Sequence, residues 1–175
     1  AASALAPDRL PAALRDVLVR LGRAGFEAVL VGGCVRDTLL GLAVREHDVA
    51  TAAPSAVVLR IFPRAIPTGL QHGTVMVPTR DGPIDVMSYR AGPRLEDDLA
   101  HRDFTLNAIA CRDGVIIDPF DGRSDLAARR LRAVGDARAR LSEDPLRALR
   151  AARLVARFGF SPDAALRDAV AEAAP

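Results

Sequence analysis

The sequence predicts an α+β fold: a mixed sheet with helices against it up to about residue 135, then helices alone. Three observations lead there. "GTVMVPTRDGPIDVMSYR" (73–90) sets two β-rich runs around Asp81-Gly82, the dipeptide that favours a two-residue type I′ hairpin. "EAVLVGG" (27–33) is a short apolar run into paired glycines, as a buried strand feeding a helix would read. From about residue 121 the apolar spacing turns to the helical period.

The elements follow in order. "PAALRDVLVRLGRAG" (11–25) is an amphipathic helix closed by Gly25, and the strand 27–33 comes next. "CVRDTLLG" (34–41) is a short helix ending at Gly41, "EHDVA" (46–50) a second strand and "SAVVLRIF" (55–62) another helix. Beyond the hairpin come a polar segment, a helix start near 103–109 and a short strand pair around "CRDGVIID" (111–118). Helical patterns then cover 122–131, 136–141, a long run at 143–159 and a last one at 162–173. No internal repeat or low-complexity tract is visible.

The 175 residues suffice for one substantial domain, or for one domain and the beginning of another. Half are apolar and 26% charged, the balance of a soluble globular chain. A net charge of +2 gives no global argument for nucleic acid, so any basic surface has to be local. All 24 cationic residues are Arg, whose planar donor fork suits phosphates and base edges. Cys34 and Cys111 stand far apart without a CxxC partner, which reads as two buried reduced thiols and a cytoplasmic location. No apolar run approaches the ~20 residues of a membrane span, so no membrane association is expected. "AASALAPDRLP" has neither the charged start nor the apolar centre of a signal peptide. The chain begins at Ala1 and stops just after a helical pattern, so a trimmed or truncated chain is expected.

"REHDVAT" (45–51) places Glu46 and Asp48 two apart on a strand, hence on one face. Asp85 lies in "PIDVM", on a strand that could pair beside 46–50 and bring a third carboxylate to the same place. Such an oxygen-rich site suits Mg²⁺, which keeps water and phosphate oxygens among its ligands. Upstream, Gly32-Gly33 ends a strand and opens a helix, where bare amides can hold a phosphate; Arg36 lies one turn in. Taken singly, these features have plain readings: a solvated edge strand and a tight turn. Their combination is more specific.

In that order, "VLVGGCVRDTLLGLAVREHDVAT" (29–51) resembles motif A of the class II tRNA nucleotidyltransferase and bacterial poly(A) polymerase family, within the polymerase-β-like superfamily. Glu46-His47-Asp48 stands where the family usually has Asp-x-Asp. "HRDFTLNAIA" (101–110) resembles motif B, with His101 in place of an Arg. "DPFDGRSDLAARRLRAVGD" (118–136) resembles motif C, and "EDPLRALRAARLVARFGF" (143–160) motif D. The resemblance implies a polymerase-β-like nucleotidyltransferase head over 1–135 and the start of a helical neck over 136–175. It implies that the 3′-hydroxyl of a tRNA attacks the α-phosphate of a nucleoside triphosphate, releasing pyrophosphate.

The resemblance also implies roles. Glu46, Asp48 and Asp85 would hold Mg²⁺, and Gly32, Gly33 and Arg36 the triphosphate. Arg102, Asp103 and Asn107 would face the ribose and phosphates, with Asp103 also placed to cap a helix ahead of Phe104. Asp144 and Arg147 are i, i+3 on a helix and should project side by side. Ionised Asp only accepts hydrogen bonds and Arg only donates them, a pairing that matches C and A and leaves U and G unpaired. Arg150 and Arg153 extend the stripe toward the nucleotide, while Arg157 reads as surface. His47 reads as packing and His101 as surface.

Only residues 91–97 separate Arg90 from Asp98, where most family members carry a flexible loop associated with the switch from C to A addition. The short connection resembles the CC-adding members, which use CTP and leave the terminal A to a separate enzyme. Other readings stay open: a complete CCA-adding enzyme using CTP and ATP, a poly(A) polymerase, or a catalytically silent RNA- or nucleotide-binding module. The family's helical body and tail, which hold the tRNA, are not among these residues.

Overall fold

The computed structural model describes residues 2–69 and 73–173. Helix α1 (Ala12–Arg23) turns Leu14, Val17 and Leu21 into the core, the stripe its apolar spacing dictates. It closes with the Gly25 N–H on Gly22 O (2.9 Å) and the Phe26 N–H on Leu21 O (3.1 Å), Gly25 taking φ +85°. Next come β1 (Ala28–Val31), α2 (Gly33–Leu39), β2 (His47–Thr51) and α3 (Ser55–Ile61). Strands β3 (Ile66–Gly69), β4 (Thr74–Val77) and β5 (Ile84–Ser88) lead to α4 (Leu95–Ala100) and a 3-10 turn at Thr105–Asn107. Then follow β6 (Ala110–Arg112), β7 (Val115–Ile117), α5 (Gly122–Ala127) and β8 (Arg130–Leu131). The last elements are α6 (Ala137–Glu143), α7 (Leu146–Phe158), β9 (Ser161–Pro162) and α8 (Ala164–Ala173).

The predicted fold class is the observed one. A seven-stranded sheet runs β3-β4-β5-β2-β1-β6-β7, with β2 parallel to β5 and every other neighbouring pair antiparallel. Alternation along β2 sends Val49 into the larger core, with Leu14, Val35 and Val58 of the helices, and Ala50 into a smaller cluster with Leu95 and Leu99 of α4. Asp48, two residues before Ala50, shares the face of that smaller cluster.

Local expectations change where proline or tertiary pairing intervenes. Val77 pairs with Ile84, so the hairpin loop is the six residues 78–83, not a two-residue turn on Asp81-Gly82. Pro78 and Pro83 have no N–H to give the ladder, which stops pairing at both ends. Inside the loop the Thr79 hydroxyl donates to Gly82 O (2.6 Å) and accepts the Asp81 N–H (3.2 Å). The helix read at 143–159 is broken: Asp144 is extended (φ −154°, ψ 100°) between α6 and α7. Pro145 is the cause, since proline disfavours helical backbone in the residue before it. The helix read at 122–131 stops at Ala127, and the chain re-enters as β8, which pairs in parallel with β9 inside the C-terminal helical part. The segment 103–109 yields only the 3-10 turn, and the polar stretch after the hairpin holds α4.

Motif C residues brace that 3-10 turn. A Cβ at Gly122 would lie 2.2 Å from Thr105 O, so the first residue of α5 has to be glycine for this approach. Asp125, fully buried, accepts the Thr105 hydroxyl (2.6 Å), Arg130 Nε (2.6 Å) and Arg132 Nε (2.9 Å). Gly122→Ala is expected to cost about 3 kcal/mol or more, read as a lower urea midpoint. Gly22→Ala, inside α1 with nothing within 4 Å of the new Cβ, is expected to gain about 0.5 kcal/mol in the same measurement.

Candidate active site

The β2–β5 register places Asp48 directly opposite Asp85. Opposed residues share a face, so these two carboxylates meet as the sequence suggested. Glu46 is exposed and immediately precedes the first residue of β2, near enough for its charge to act on both Asp48 and Asp85. Burial pushes Asp48 up to about 6; the Asp85 and Glu46 charges add to this, while Arg102 and Arg36 act against it. Asp85 is also raised, by burial first and then by Glu46. Among the described residues, no three His, Cys, Asp or Glu are gathered closely enough to hold a metal ion. The donor chemistry still fits a hard divalent cation: two facing carboxylates, a third charge nearby, and a mutual repulsion that a cation would relieve.

Gly32 stands beside this corner. With φ +72° it turns β1 into α2, and a Cβ there would sit 3.0 Å from Arg102 Nη1 and 3.6 Å from Asp48 Oδ2. Both the backbone conformation and the close approach call for glycine. Arg102 is aimed here by Asp98, whose Oδ2 accepts Arg102 Nε (3.2 Å) and Nη2 (3.1 Å). Asp98 is 1% exposed, and its other oxygen accepts the Arg90 N–H at 3.3 Å. Neither Asp98 nor Arg90 was among the sequence candidates. The i, i+4 spacing of Asp98 and Arg102 was the available signal, had 95–100 been read as a helix.

Asp103 and Asn107 bond to each other. Asp103 Oδ1 accepts the Phe104 N–H (2.8 Å) and Asn107 Nδ2 (3.0 Å), so it both orders the turn and faces the site. Asn107 Oδ1 accepts Arg36 Nη1 at 2.5 Å. Arg36 is buried, and its Nε (2.8 Å) and Nη2 (2.7 Å) lie on Asp37 Oδ1. It stands close behind Gly33, where a Cβ would be 3.4 Å from its Nη2, with its guanidinium taken up by side chains.

At the other end, Asp144 and Arg147 do not project side by side from one helix. Asp144 Oδ1 accepts the Leu146 N–H (2.9 Å), the bond of an N-cap side chain, and its Oδ2 pairs with Arg150 Nη2. Arg147 is buried; it donates to Glu143 (2.8 Å), Arg140 O (3.1 Å) and His101 O (3.2 Å), and its Nε has no partner. Arg90, Arg102, Asp103, Arg147 and Arg150 line one small pocket, in which burial and then the neighbouring Arg102 and Arg147 disfavour the charged form of Arg90. The lining is rich in guanidinium groups, and although Asp98, Glu143 and Asp144 pair with Arg102, Arg147 and Arg150 from outside it, their remaining N–H donors suit an anion. Arg153 lies outside it, on a wider cleft of about 780 Å³ shared with Arg45, Glu46, Arg129 and Arg157. Arg157 is exposed, as expected of a surface residue, and it also pairs with Asp37 at 3.1 Å. His101 is exposed and His47 half-buried, the latter with its pKa lowered by burial.

Residues 28–93 and 89–132 match the Poly A polymerase head domain, together spanning more than half of the 175 residues. Over 161 residues the chain is 45% identical to the CCA-adding enzyme of Latilactobacillus sakei subsp. sakei, covering 83% of this chain and 41% of that enzyme. Over 144 residues it is 49% identical to the CC-adding tRNA nucleotidyltransferase of Shouchella clausii, covering 82% and 38%. The fold superposes on the Bacillus stearothermophilus CCA-adding enzyme, solved in complex with CTP, with a TM-score of 0.83 at 41% identity, over 88% of this chain and 41% of that one. The chain thus spans about two fifths of the length of the curated relatives it matches.

Proposed function

The chain belongs to the Poly A polymerase head-domain family, and from that membership we propose that its site transfers CMP from CTP to the 3′ end of a tRNA, releasing pyrophosphate. The observation that carries this reading is the β2–β5 register, which sets Asp48 against Asp85 beside Gly32 and Arg102. Residues 1–135 act as the head and 136–175 as the start of the neck in this reading.

Asp48 and Asp85 would hold Mg²⁺, with Glu46 alongside. When bound, the ion supplies a lowered pKa for the attacking hydroxyl and charge neutralisation at the α-phosphate. The chain's own groups bind and orient. Arg102, fixed by Asp98, and Arg90 and Arg150 take the triphosphate charge, which relieves their crowding in one pocket. Gly32 and Gly33 let backbone amides approach the phosphates, and Arg36 holds Asn107 from behind. Asp103 and Asn107 are placed for the ribose hydroxyls. Arg147, in the lining of this pocket, would donate to the acceptor edge of cytosine, and Asp144 would accept the exocyclic amine. The RNA strand would approach along the cleft that Glu46 shares with Arg45, Arg129 and Arg153, where cationic groups can follow a phosphate backbone.

Cys34 and Cys111 are free and buried, which suits a reducing compartment, and we place the activity in the cytoplasm. Among the described residues no helix is long and apolar enough to cross a membrane. The chain resembles both CC- and CCA-adding relatives, so the stopping point rests on the connection after Arg90, where α4 begins already at Leu95. That short connection favours CC addition, with the final A left to a separate enzyme. The test is incubation with Mg²⁺ and a tRNA lacking its 3′ CCA, with CTP alone and then CTP plus ATP, products resolved to one nucleotide. Growth by two, unchanged by ATP, is expected. Growth by three with both nucleotides would assign complete CCA addition instead. Nucleotide binding without growth would assign a silent binding module.

A further inference from the structure

We propose that Arg157, at the C-terminal end of α7, is a positioning residue for the nucleotide pocket at the start of the same helix. With Asp37 it clamps α7 onto α2 and thereby sets where Arg147 and Arg150 stand. The inference rests on the functional reading above, because it concerns the pocket assigned there to CTP.

The geometry is a closed ring of side chains that leaves α7 and returns to it. Arg157 Nη2 donates to Asp37 Oδ2 at 3.1 Å. Asp37 Oδ1 is held by Arg36, Arg36 Nη1 donates to Asn107 Oδ1, and Asn107 Nδ2 donates to Asp103 Oδ1. Asp103 Oδ2 then faces Arg150 Nε at 3.5 Å, back on α7. Arg150 and Arg157 are about two helical turns apart, roughly 10 Å along the axis. Two anchors so spaced resist both sliding and rotation of the helix, which one anchor would not.

The far anchor is built to hold. Asp37 is 8% exposed and its bond to buried Arg36 is shielded from water, while Arg157, with its side chain 53% exposed, reaches the same carboxylate from the solvent side. The Phe158 ring lies under both cations, 4.7 Å from Arg157 Cζ and 4.9 Å from Arg36 Cζ, and stacks on Phe160 at 5.4 Å between centroids. Arg157 lines the outer cleft and is not among the residues of the nucleotide pocket, so its effect on that pocket passes through α7.

The test compares Arg157→Gln and Arg157→Lys with the wild-type chain. Hydrogen exchange of the 146–158 amides is followed without nucleotide, and KM, kcat and the CTP-to-UTP preference are measured on tRNA lacking CCA. Arg157→Gln is expected to speed exchange across 146–158, raise the CTP KM about tenfold and narrow the CTP preference, with kcat within about twofold. Arg157→Lys, which keeps a cation for Asp37, is expected to recover most of the loss. Faster exchange with KM and base preference unchanged would show a purely structural contact and overturn the proposal. Unchanged exchange would show that there is no clamp, which also overturns it. A wild-type chain that neither binds nor turns over CTP would overturn the functional reading itself, and this inference with it.

Discussion

Asp48→Asn is expected to lower kcat/KM for nucleotide transfer by about a thousandfold or more, and at the same time to make the chain more stable at neutral and higher pH. The activity loss follows from removing the half-buried and less exposed member of the facing carboxylate pair, the one nearest Gly32 and Arg102. The stability gain follows from proton linkage. The folded-state pKa of Asp48, about 6, lies above the ordinary 3.8, so the native state keeps this proton to higher pH than the unfolded chain does. Stability therefore falls as pH rises from about 4 through about 6, and above that window the whole cost is present. The shift corresponds to at most about 3 kcal/mol, which an uncharged Asn does not carry. Thermal midpoints without divalent cation, at about pH 4.5 and pH 8, check the sign: the variant's advantage should widen with pH. A variant that is inactive and also less stable at pH 8 would mean that Asp48 supports the fold through contacts not described above.

The second large effect is expected at the opposite end of the pocket. Arg147→Ala should reduce kcat/KM for CTP by about a hundredfold to a thousandfold and narrow the preference for CTP over UTP. Arg147 is 8% exposed, and its removal leaves Arg140 O and His101 O without its N–H groups and Glu143 with Arg140 as its remaining cation, as well as deleting the unpartnered Nε–H. Arg147→Lys should not restore selectivity, because a point charge cannot replace a fixed planar fork. Steady-state rates with CTP and UTP separate the two contributions. A uniform loss for both nucleotides would mean that Arg147 supports the pocket without reading the base.

The parts of this site that were legible in the sequence are those set by local pattern. The alternation around Asp48 and the hairpin carrying Asp85 sufficed to bring two carboxylates together, because strand side chains alternate and β5 had to pair somewhere near β2. The parts that were not legible depend on partners chosen in three dimensions. Arg157 and Asp37 are separated by 120 residues, and nothing in the spacing of either names the other. Strands β8 and β9 are two residues each, too short to carry a period. Asp144 is a different case. Its i, i+3 spacing to Arg147 suggests a helix, but Pro145 between them signals a break. The same holds for Asp81-Gly82, where the flanking prolines outweigh the turn dipeptide.

The central claim is that the Asp48–Asp85 corner transfers a nucleotidyl group, and labelled CTP tests it most directly. The wild-type chain would be incubated with Mg²⁺, a tRNA lacking its 3′ CCA, and CTP labelled at either the α- or the γ-phosphate. The α-label is expected in the tRNA and the γ-label in released pyrophosphate, both lost in Asp48→Asn. CTP binding with neither label moved, or γ-label found in the RNA, would contradict the account.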